Sequence, residues 1–286
     1  MSYDRIDNLR AYVFSQRMEL THSNVYYRLS NRIKDTENKA TLMSLSQQEK
    51  KDYDIWKGYT TIDVQSFKFQ ELFYYLCSLI FGITFGIKFM ESGKSDLQVQ
   101  SVKLLVKKDL SAFLVHEKEQ EEKLVEIINE QKLIYVGSIV LGLNDALVEL
   151  TAMLSGITFA IHDSRIVIVT ALITGVAAAF SMAGSEYLSS KADGEVKNAK
   201  ICAVITGVSY MLTVVILLFP YLIFSNLYIA LLFTIINAIL IIFLFNFYIS
   251  VAKDLNFKER FIEMLSISLG VSFISFLIGV LINKVF

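Results

Sequence analysis

The chain has 286 residues and a net charge of −1, with hydrophobic residues at 54% and charged residues at 19%. This composition is too apolar for an ordinary soluble domain, and the balanced charge gives no basic surface of the kind that binds nucleic acid. Most of the charge lies in residues 1–131, whereas residues 132–286 are largely apolar. We therefore expect an all-α protein with two domains, 1–131 and 132–286, the second of which lies in a lipid bilayer.

Residues 1–131 are predicted to form long helices. An apolar stripe with helical spacing begins at Ile6 and Leu9, and the polar segment 34–38 provides a turn. A second break occurs at the segment 92–95, Ser-Gly-Lys-Ser. Between these breaks we expect a second helix at about Asn38–Tyr59 and a third at about Val64–Glu91.

The segment Leu72–Ile87 has 16 residues without a charge and contains the pattern Gly82-x-x-x-Gly86. GxxxG patterns allow close helix contact in lipid, so this segment is open to interpretation as a short sixth span. It is shorter than the roughly 20 residues that cross a bilayer, which favours a helix of the first domain.

Carboxylates in the first domain recur at helical spacing. Glu19 and His22, Glu49 and Asp52, and Glu117 and Gln120 are each three residues apart, and such pairs share one helix face. Ferritin-like bundles build a di-iron site from a Glu on each of two helices and Glu-x-x-His on two others. Taken alone, an acidic run such as 117–122 is more often a solvated helix face.

Residues 132–286 are predicted to contain five membrane spans, because they include charge-free runs of 20, 52 and 20 residues at 166–185, 201–252 and 264–283. The longest run divides near Pro220 and Ser225-Asn226. The expected spans are Leu133–Ile161, Ile166–Ser190, Ile201–Phe224, Leu227–Ala252 and Phe261–Val285.

Lysines and arginines in the short connections predict the orientation. Six lie between spans two and three or between spans four and five, against two on the opposite side. By the positive-inside rule, the first set and residues 1–131 are cytoplasmic, and the C-terminus lies on the opposite side.

Four residues of the first two spans are candidates for an ion pathway. Asp145 and Glu149 lie one helical turn apart in the middle of span one. A carboxylate at the bilayer centre costs about 2.5–3.5 kcal/mol, so such groups generally line a polar route. Met182 and Glu186 are four residues apart in span two, and thioether sulfur beside carboxylate favours a transition metal over Na⁺ or Ca²⁺. Taken alone, a methionine such as Met182 more often packs against lipid or a neighbouring helix than binds a metal.

The second domain resembles the vacuolar iron transporter family. The resemblance is carried by Gly142-Leu-Asn-Asp-Ala146 and by Ser181-Met-Ala-Gly-Ser-Glu-Tyr-Leu188, together with the five spans. It implies a homodimer that moves Fe²⁺ or Mn²⁺ out of the cytoplasm in exchange for protons. Asp145 and Met182 match ion-pathway positions of the family, and Glu186 matches a signature carboxylate.

The first domain resembles the rubrerythrin-like, ferritin-like domain that some prokaryotic members carry ahead of the transporter, so the host is expected to be a prokaryotic cell membrane. This resemblance implies a four-helix bundle, with Leu72–Ile87 in its third helix. It implies a metal site formed by Glu19, Glu49, Asp52, Glu91, Glu117 and Gln120.

Asp52 and Gln120 stand where the ferritin-like pattern has histidine, which puts redox turnover in doubt. We therefore expect a transporter of Fe²⁺ or Mn²⁺ rather than an enzyme. A membrane-anchored di-iron ferroxidase or peroxide-detoxifying enzyme is one alternative, and a metal-free dimerisation module attached to the transporter is another.

Overall fold

The computed structural model describes residues 2–92, 135–161, 163–192 and 198–285, and the secondary structure in these ranges is helical, as predicted. The chain divides into two compact units, Met1–Glu130 and Gln131–Phe286. The helices of the first unit are α1 (Ser2–Ser30), α2 (Thr36–Thr60), α3 (Lys68–Phe81) and α4, of which residues 83–92 are described.

Helices α1 and α2 form an antiparallel hairpin with a buried apolar core. Val25 and Leu29 of α1 pack with Leu42 and Leu45 of α2, and each is at most 1% exposed. The Ser23 hydroxyl donates a hydrogen bond of 2.8 Å to the Ser46 carbonyl, and this bond joins the two helices near their middle. The packing of α1 against α2 therefore fixes the positions of the side chains that lie between them.

The third predicted helix is interrupted. Gly82 adopts φ 107° and ψ 156°, a conformation that favours glycine, and it ends α3. Residues 78 and 86 would be about 12 Å apart in a continuous helix. Instead, a Cβ on Gly86 would lie only 2.6 Å from the Ser78 Cα, and the rings of Phe73 and Phe89 lie 6.1 Å apart.

Helix α4 therefore folds back along α3, and the expectation of one helix over Val64–Glu91 is wrong. The predicted site residues Glu117 and Gln120 lie outside the described residues, and the ferritin-like bundle stays a prediction.

A buried carboxylate attaches α3 to α1. Glu71 accepts hydrogen bonds from Asn24 and Ser66 and forms an ion pair of 3.2 Å with Arg28. Burial raises the pKa of Glu71, but the hydrogen bond from Ser66 and the charge of Lys68 outweigh that effect, so its pKa lies below the usual value.

The second unit contains five helices that are long and apolar enough to cross a membrane, as predicted, and they are the candidates for spans among the described residues. Helix α3, with 14 residues, is too short to be a sixth. The five helices are α5 (Val136–Ala160), α6 (Ser164–Ala192), α7 (Ala199–Ile223), α8 (Leu227–Lys253) and α9 (Phe257–Val285).

Helix α5 contacts all four other helices of this unit. Its partners on α7 advance with it along the chain: Ser138 contacts Thr206, and Thr158 contacts Tyr221 through hydroxyl groups 2.6 Å apart. The same holds for α9, where Ser268 contacts Thr151 and Gly279 contacts Gly156. Helices α5, α7 and α9 are consequently parallel, and α6 and α8 run in the opposite direction.

Glycines allow α5 to approach α7 and α9 closely. A Cβ on Gly142 would lie 3.0 Å from the Thr206 carbonyl carbon, and its oxygen would be closer still. A Cβ on Gly279 of α9 would lie 2.9 Å from the carbonyl carbon of Gly156. Small residues at such crossings let helix backbones pack in lipid, where apolar side chains provide little drive for association.

Pro220 lies within the last turn of α7, and the helix continues to Ile223. Because proline has no amide hydrogen, the carbonyl of Ile216 loses its helical donor. The Asn237 side chain of α8 donates to that carbonyl at 3.4 Å. The long apolar run is therefore divided after Pro220, between α7 and α8. There Asn226 caps the first turn of α8 by accepting hydrogen bonds from the amides of Tyr228 and Ile229.

Candidate metal sites

A carboxylate pair occupies the middle of α5. Asp145 and Glu149 are one turn apart and half-buried. Glu149 Oε2 accepts a hydrogen bond of 2.5 Å from the Tyr210 hydroxyl of α7, and Tyr210 is fully buried. This hydrogen bond holds the Glu149 side chain against α7.

Glu186 of α6 lies against the beginning of α5. It accepts a hydrogen bond of 2.7 Å from the hydroxyl of Ser138 and one of 3.5 Å from Ser190 of its own helix. Ser138 precedes Asp145 by two helical turns on α5. The hydrogen bond therefore places Glu186 beside α5, two helical turns from Asp145.

Met182 is one turn before Glu186 on α6 and is half-buried against the apolar core of this unit. Since α5 and α6 are antiparallel, Met182 lies about 6 Å further from the level of Ser138 than Glu186 does, towards the level of Asp145. The four residues predicted for an ion pathway are thus on two helices in contact with each other.

Tyr210 was not predicted from the sequence. It is 61 residues from Glu149, in an apolar run where a tyrosine is ordinary. The available signal was weak: a phenol near the middle of a span needs a hydrogen-bond partner, and the candidates in neighbouring spans are few.

A second group of potential ligands lies in the first unit, between α1 and α2. Glu19, His22 and Glu49 each offer a ligand atom, and these atoms all lie within 4.8 Å of one another. His22 Nδ1 is 3.7 Å from Glu49 Oε1. All three side chains are at most 1% exposed, and Asp52, one turn after Glu49, is 3% exposed.

Four of the six residues predicted for the metal site of this unit lie in the part of the chain that the structure describes, and Glu117 and Gln120 do not. Glu19 and Glu49 meet, and Asp52 is buried one turn away. Glu91 of α4 accepts a hydrogen bond of 2.9 Å from the hydroxyl of Tyr26, which follows His22 by one turn on α1. His22 was noted only as a neighbour of Glu19 in sequence, and its approach to Glu49 depends on the packing of two helices.

The donor set suits a divalent transition metal. Carboxylate oxygen and imidazole nitrogen both bind such ions, and a cation would offset the cost of burying two carboxylates side by side. The site in the second unit offers carboxylate and thioether donors, which likewise accommodate a borderline metal.

Comparison with known proteins adds one finding. Residues 136–202 match the model of the VIT family. No curated protein and no solved structure gives a significant match. The matched segment contains Asp145, Glu149, Met182 and Glu186, whereas Glu19, His22 and Glu49 lie outside it. The match supports the resemblance of this segment to vacuolar iron transporters and indicates a membrane transporter of iron or manganese.

Proposed function

We propose that the protein exports Fe²⁺ or Mn²⁺ from the cytoplasm in exchange for protons, along a path that passes Asp145, Glu149, Met182 and Glu186. The observation that carries the proposal is the half-buried carboxylate pair of α5 within the segment that matches the VIT family. Placing a carboxylate inside a bilayer costs free energy, and carboxylates found there generally line a route for ions or protons.

The arrangement supports a stepwise path. Glu186 with Ser138 lies nearest the predicted cytoplasmic ends of α5 and α6 and would receive the ion first. Met182 follows, and its soft sulfur favours a transition metal over Mg²⁺ or Ca²⁺. Asp145 and Glu149 come next, and two carboxylates one turn apart bind a divalent cation or protons in alternation.

The proposal includes the orientation and the role of the first unit. The charges of the short connections favour cytoplasmic positions for residues 1–131, which would bind the ion before transport. It also includes a homodimer, since α6 exposes Phe180 and Leu188 together with Gly184, where an added Cβ would meet nothing within 4 Å. Small residues of this kind permit close approach of a second copy in lipid.

A flux assay with purified protein in proteoliposomes tests the function. We expect Fe²⁺ and Mn²⁺ to enter the vesicles, uptake to rise when the interior is more acidic than the exterior, and the lumen to become less acidic as metal enters. Metal flux without any movement of protons would contradict the coupling. Absence of flux, together with oxygen consumption on addition of Fe²⁺, would favour the anchored ferroxidase instead.

Replacing Tyr210 by phenylalanine tests the hydrogen bond to Glu149. A hydrogen bond to a charged group contributes about 1.5–3 kcal/mol, so we expect transport to fall about tenfold or more and its pH dependence to move. The measurement is initial Mn²⁺ flux across a series of pH values.

Tyr221→Phe is the matched control. It removes a buried hydroxyl from the same helix, where the partner is Thr158 rather than a carboxylate. Equal flux and equal pH profiles in the two variants would exclude a role for Tyr210 in the ion path.

A further inference from the structure

We propose that α6 moves relative to the other four helices of its unit during transport, and that the hydrogen bond between Ser138 and Glu186 is the latch that holds it in place. The movement rests on the proposed function, because it is the step that would let an ion pass between α5 and α6. What supports it is the unequal distribution of polar contacts among the five helices.

Helices α5 and α9 are joined by a buried group of hydroxyls. Thr151 of α5 donates a hydrogen bond of 2.6 Å to the Leu147 carbonyl of its own helix and accepts one of 2.9 Å from Ser272 of α9. The Ser268 hydroxyl lies 3.2 Å from the same oxygen of Thr151. All three hydroxyl-bearing side chains are at most 5% exposed. Because hydrocarbon offers these groups no water as an alternative partner, the contacts resist separation of the two helices.

Helices α7 and α8 extend this hydrogen-bonded set. The Thr206 hydroxyl of α7 donates to the Ser138 carbonyl of α5 at 3.1 Å. The Thr234 hydroxyl of α8 donates in turn to the Leu217 carbonyl of α7 at 2.8 Å. Both acceptors are backbone carbonyls, so neither bond depends on the state of a carboxylate. We refer to α5, α7, α8 and α9 together as the frame.

Helix α6 is attached to the frame in a different way. Within residues 163–192, all of which the structure describes, one side-chain hydrogen bond reaches another helix, and it joins Glu186 to the Ser138 hydroxyl. Glu186 belongs to the proposed ion path. An ion bound there competes with Ser138 for the lone pairs of the carboxylate, since each oxygen accepts a limited number of partners. The arrival of an ion therefore weakens the polar contact that holds α6.

The packing of α6 against α7 permits sliding. A Cβ on Gly207 of α7 would lie 3.1 Å from the Ala183 Cβ, and a Cβ on Gly175 of α6 would lie 2.8 Å from Val214 Cγ1. Ala183 and Gly175 are about 12 Å apart along α6, so small residues recur over two turns of the contact. Such residues bring helices close without interlocking large side chains, and packed helices can shift past each other.

Two engineered disulfides test the movement in a chain whose two native cysteines are replaced by alanine. Ala183→Cys/Gly207→Cys links α6 to the frame, at a Cβ separation slightly below the about 3.5–4.5 Å of natural disulfides. Gly156→Cys/Ser275→Cys is the matched control, because it links α5 to α9 within the frame at 3.6 Å. Mn²⁺ flux into proteoliposomes is measured after oxidation and again after reduction.

We expect oxidation to lower flux about tenfold or more in Ala183→Cys/Gly207→Cys and reduction to restore it, because a locked gating element stops turnover. In the control, the oxidised and reduced proteins should agree within about twofold, since the frame does not change shape. The comparison is made within each variant, so a general effect of the substitutions on folding does not enter.

A distance measurement tests the movement without a cross-link. Nitroxide labels at Arg165→Cys and Lys284→Cys report on α6 against the frame, whereas labels at Ser225→Cys and Lys284→Cys report on the frame alone. All three positions are exposed and lie at or beside helix ends. Labelled protein is diluted with unlabelled protein, so that pairs within one chain dominate. On addition of Zn²⁺, a diamagnetic divalent ion, we expect the first distance to change by about 2–5 Å and the second to stay constant.

The outcomes separate the movement of α6 from the transport function. Full flux in the oxidised Ala183→Cys/Gly207→Cys protein, or equal changes in both distances, would overturn the role of α6. Flux with neither distance changing would likewise refute the movement and leave the transporter intact. A change in the first distance alone, in a protein that carries no metal flux, would keep the movement and refute the proposed function.

Discussion

Replacing Asp145 by asparagine is expected to reduce Fe²⁺ and Mn²⁺ flux at least a hundredfold. Asparagine keeps the shape of the side chain but removes its charge and its ability to carry a proton. The site beside Glu149 would then hold a divalent cation with one carboxylate instead of two, and neighbouring charge is a main determinant of binding where the dielectric is low. Initial flux into proteoliposomes, normalised to reconstituted protein, provides the measurement.

Glu263→Gln is the control for this change. Glu263 lies near the beginning of α9, is largely exposed, and is 3.9 Å from Arg260. Exposed ion pairs of this kind contribute little to stability, so we expect flux close to that of the wild-type protein. A transport rate in Asp145→Asn equal to that in Glu263→Gln would remove Asp145 from the proposed path.

Replacing Gly142 by alanine is expected to produce the second large effect. The added Cβ would overlap the carbonyl of Thr206, which is backbone and cannot rotate away. Helix α7 must therefore move from α5, and α7 carries the Tyr210 hydroxyl that donates to Glu149. We expect a loss of about 1–3 kcal/mol in stability from overpacking, together with a marked fall in flux.

The matched substitution is Gly137→Ala on the same helix. A Cβ at Gly137 meets nothing within 4 Å, so the variant tests the change in helix propensity without the collision. Thermal unfolding in detergent and metal flux should both stay near wild type in Gly137→Ala. If Gly142→Ala behaved in the same way, the close contact between α5 and α7 would not be required for function.

The membrane unit was largely predictable because a bilayer imposes a simple rule on sequence. Runs of about 20 residues without charge must cross as helices, and the predicted span Leu227–Ala252 differs from the observed helix Leu227–Lys253 by one residue. The predicted starts of spans two and five, at Ile166 and Phe261, were less accurate, since the helices begin at Ser164 and Phe257. Helices α6 and α9 extend past their apolar cores into charged residues, where hydrophobicity gives no boundary.

The first unit was harder to predict, and Gly82 shows why. A GxxxG pattern is compatible with a continuous helix, with a close helix crossing and with a reversal of the chain. The choice depends on whether Gly82 adopts a positive φ, and that is decided by the packing of Phe89 on Phe73 and of Gly86 on Ser78. Periodicity alone carried no information about these contacts.

The residues of the candidate sites also differ in how far the sequence could predict them. Asp145, Glu149, Met182 and Glu186 were identifiable because polar or sulfur-containing side chains stand out in an apolar span. His22 and Tyr210 depend on contacts across 27 and 61 residues, and neither contact has a signature in local spacing. The resemblance to the ferritin-like pattern implied Asp52 as a ligand, and the structure places it among buried side chains one turn after Glu49.

Pro220 has a consequence for the biogenesis of the protein. In hydrocarbon there is no water to satisfy the Ile216 carbonyl, and its donor is Asn237 on the following helix. The connection between the two helices is only three residues long, from Phe224 to Asn226. Helices α7 and α8 are thus suited to leave the translocation machinery as a pair, because α7 alone would enter the lipid with an exposed polar group that α8 is built to cover.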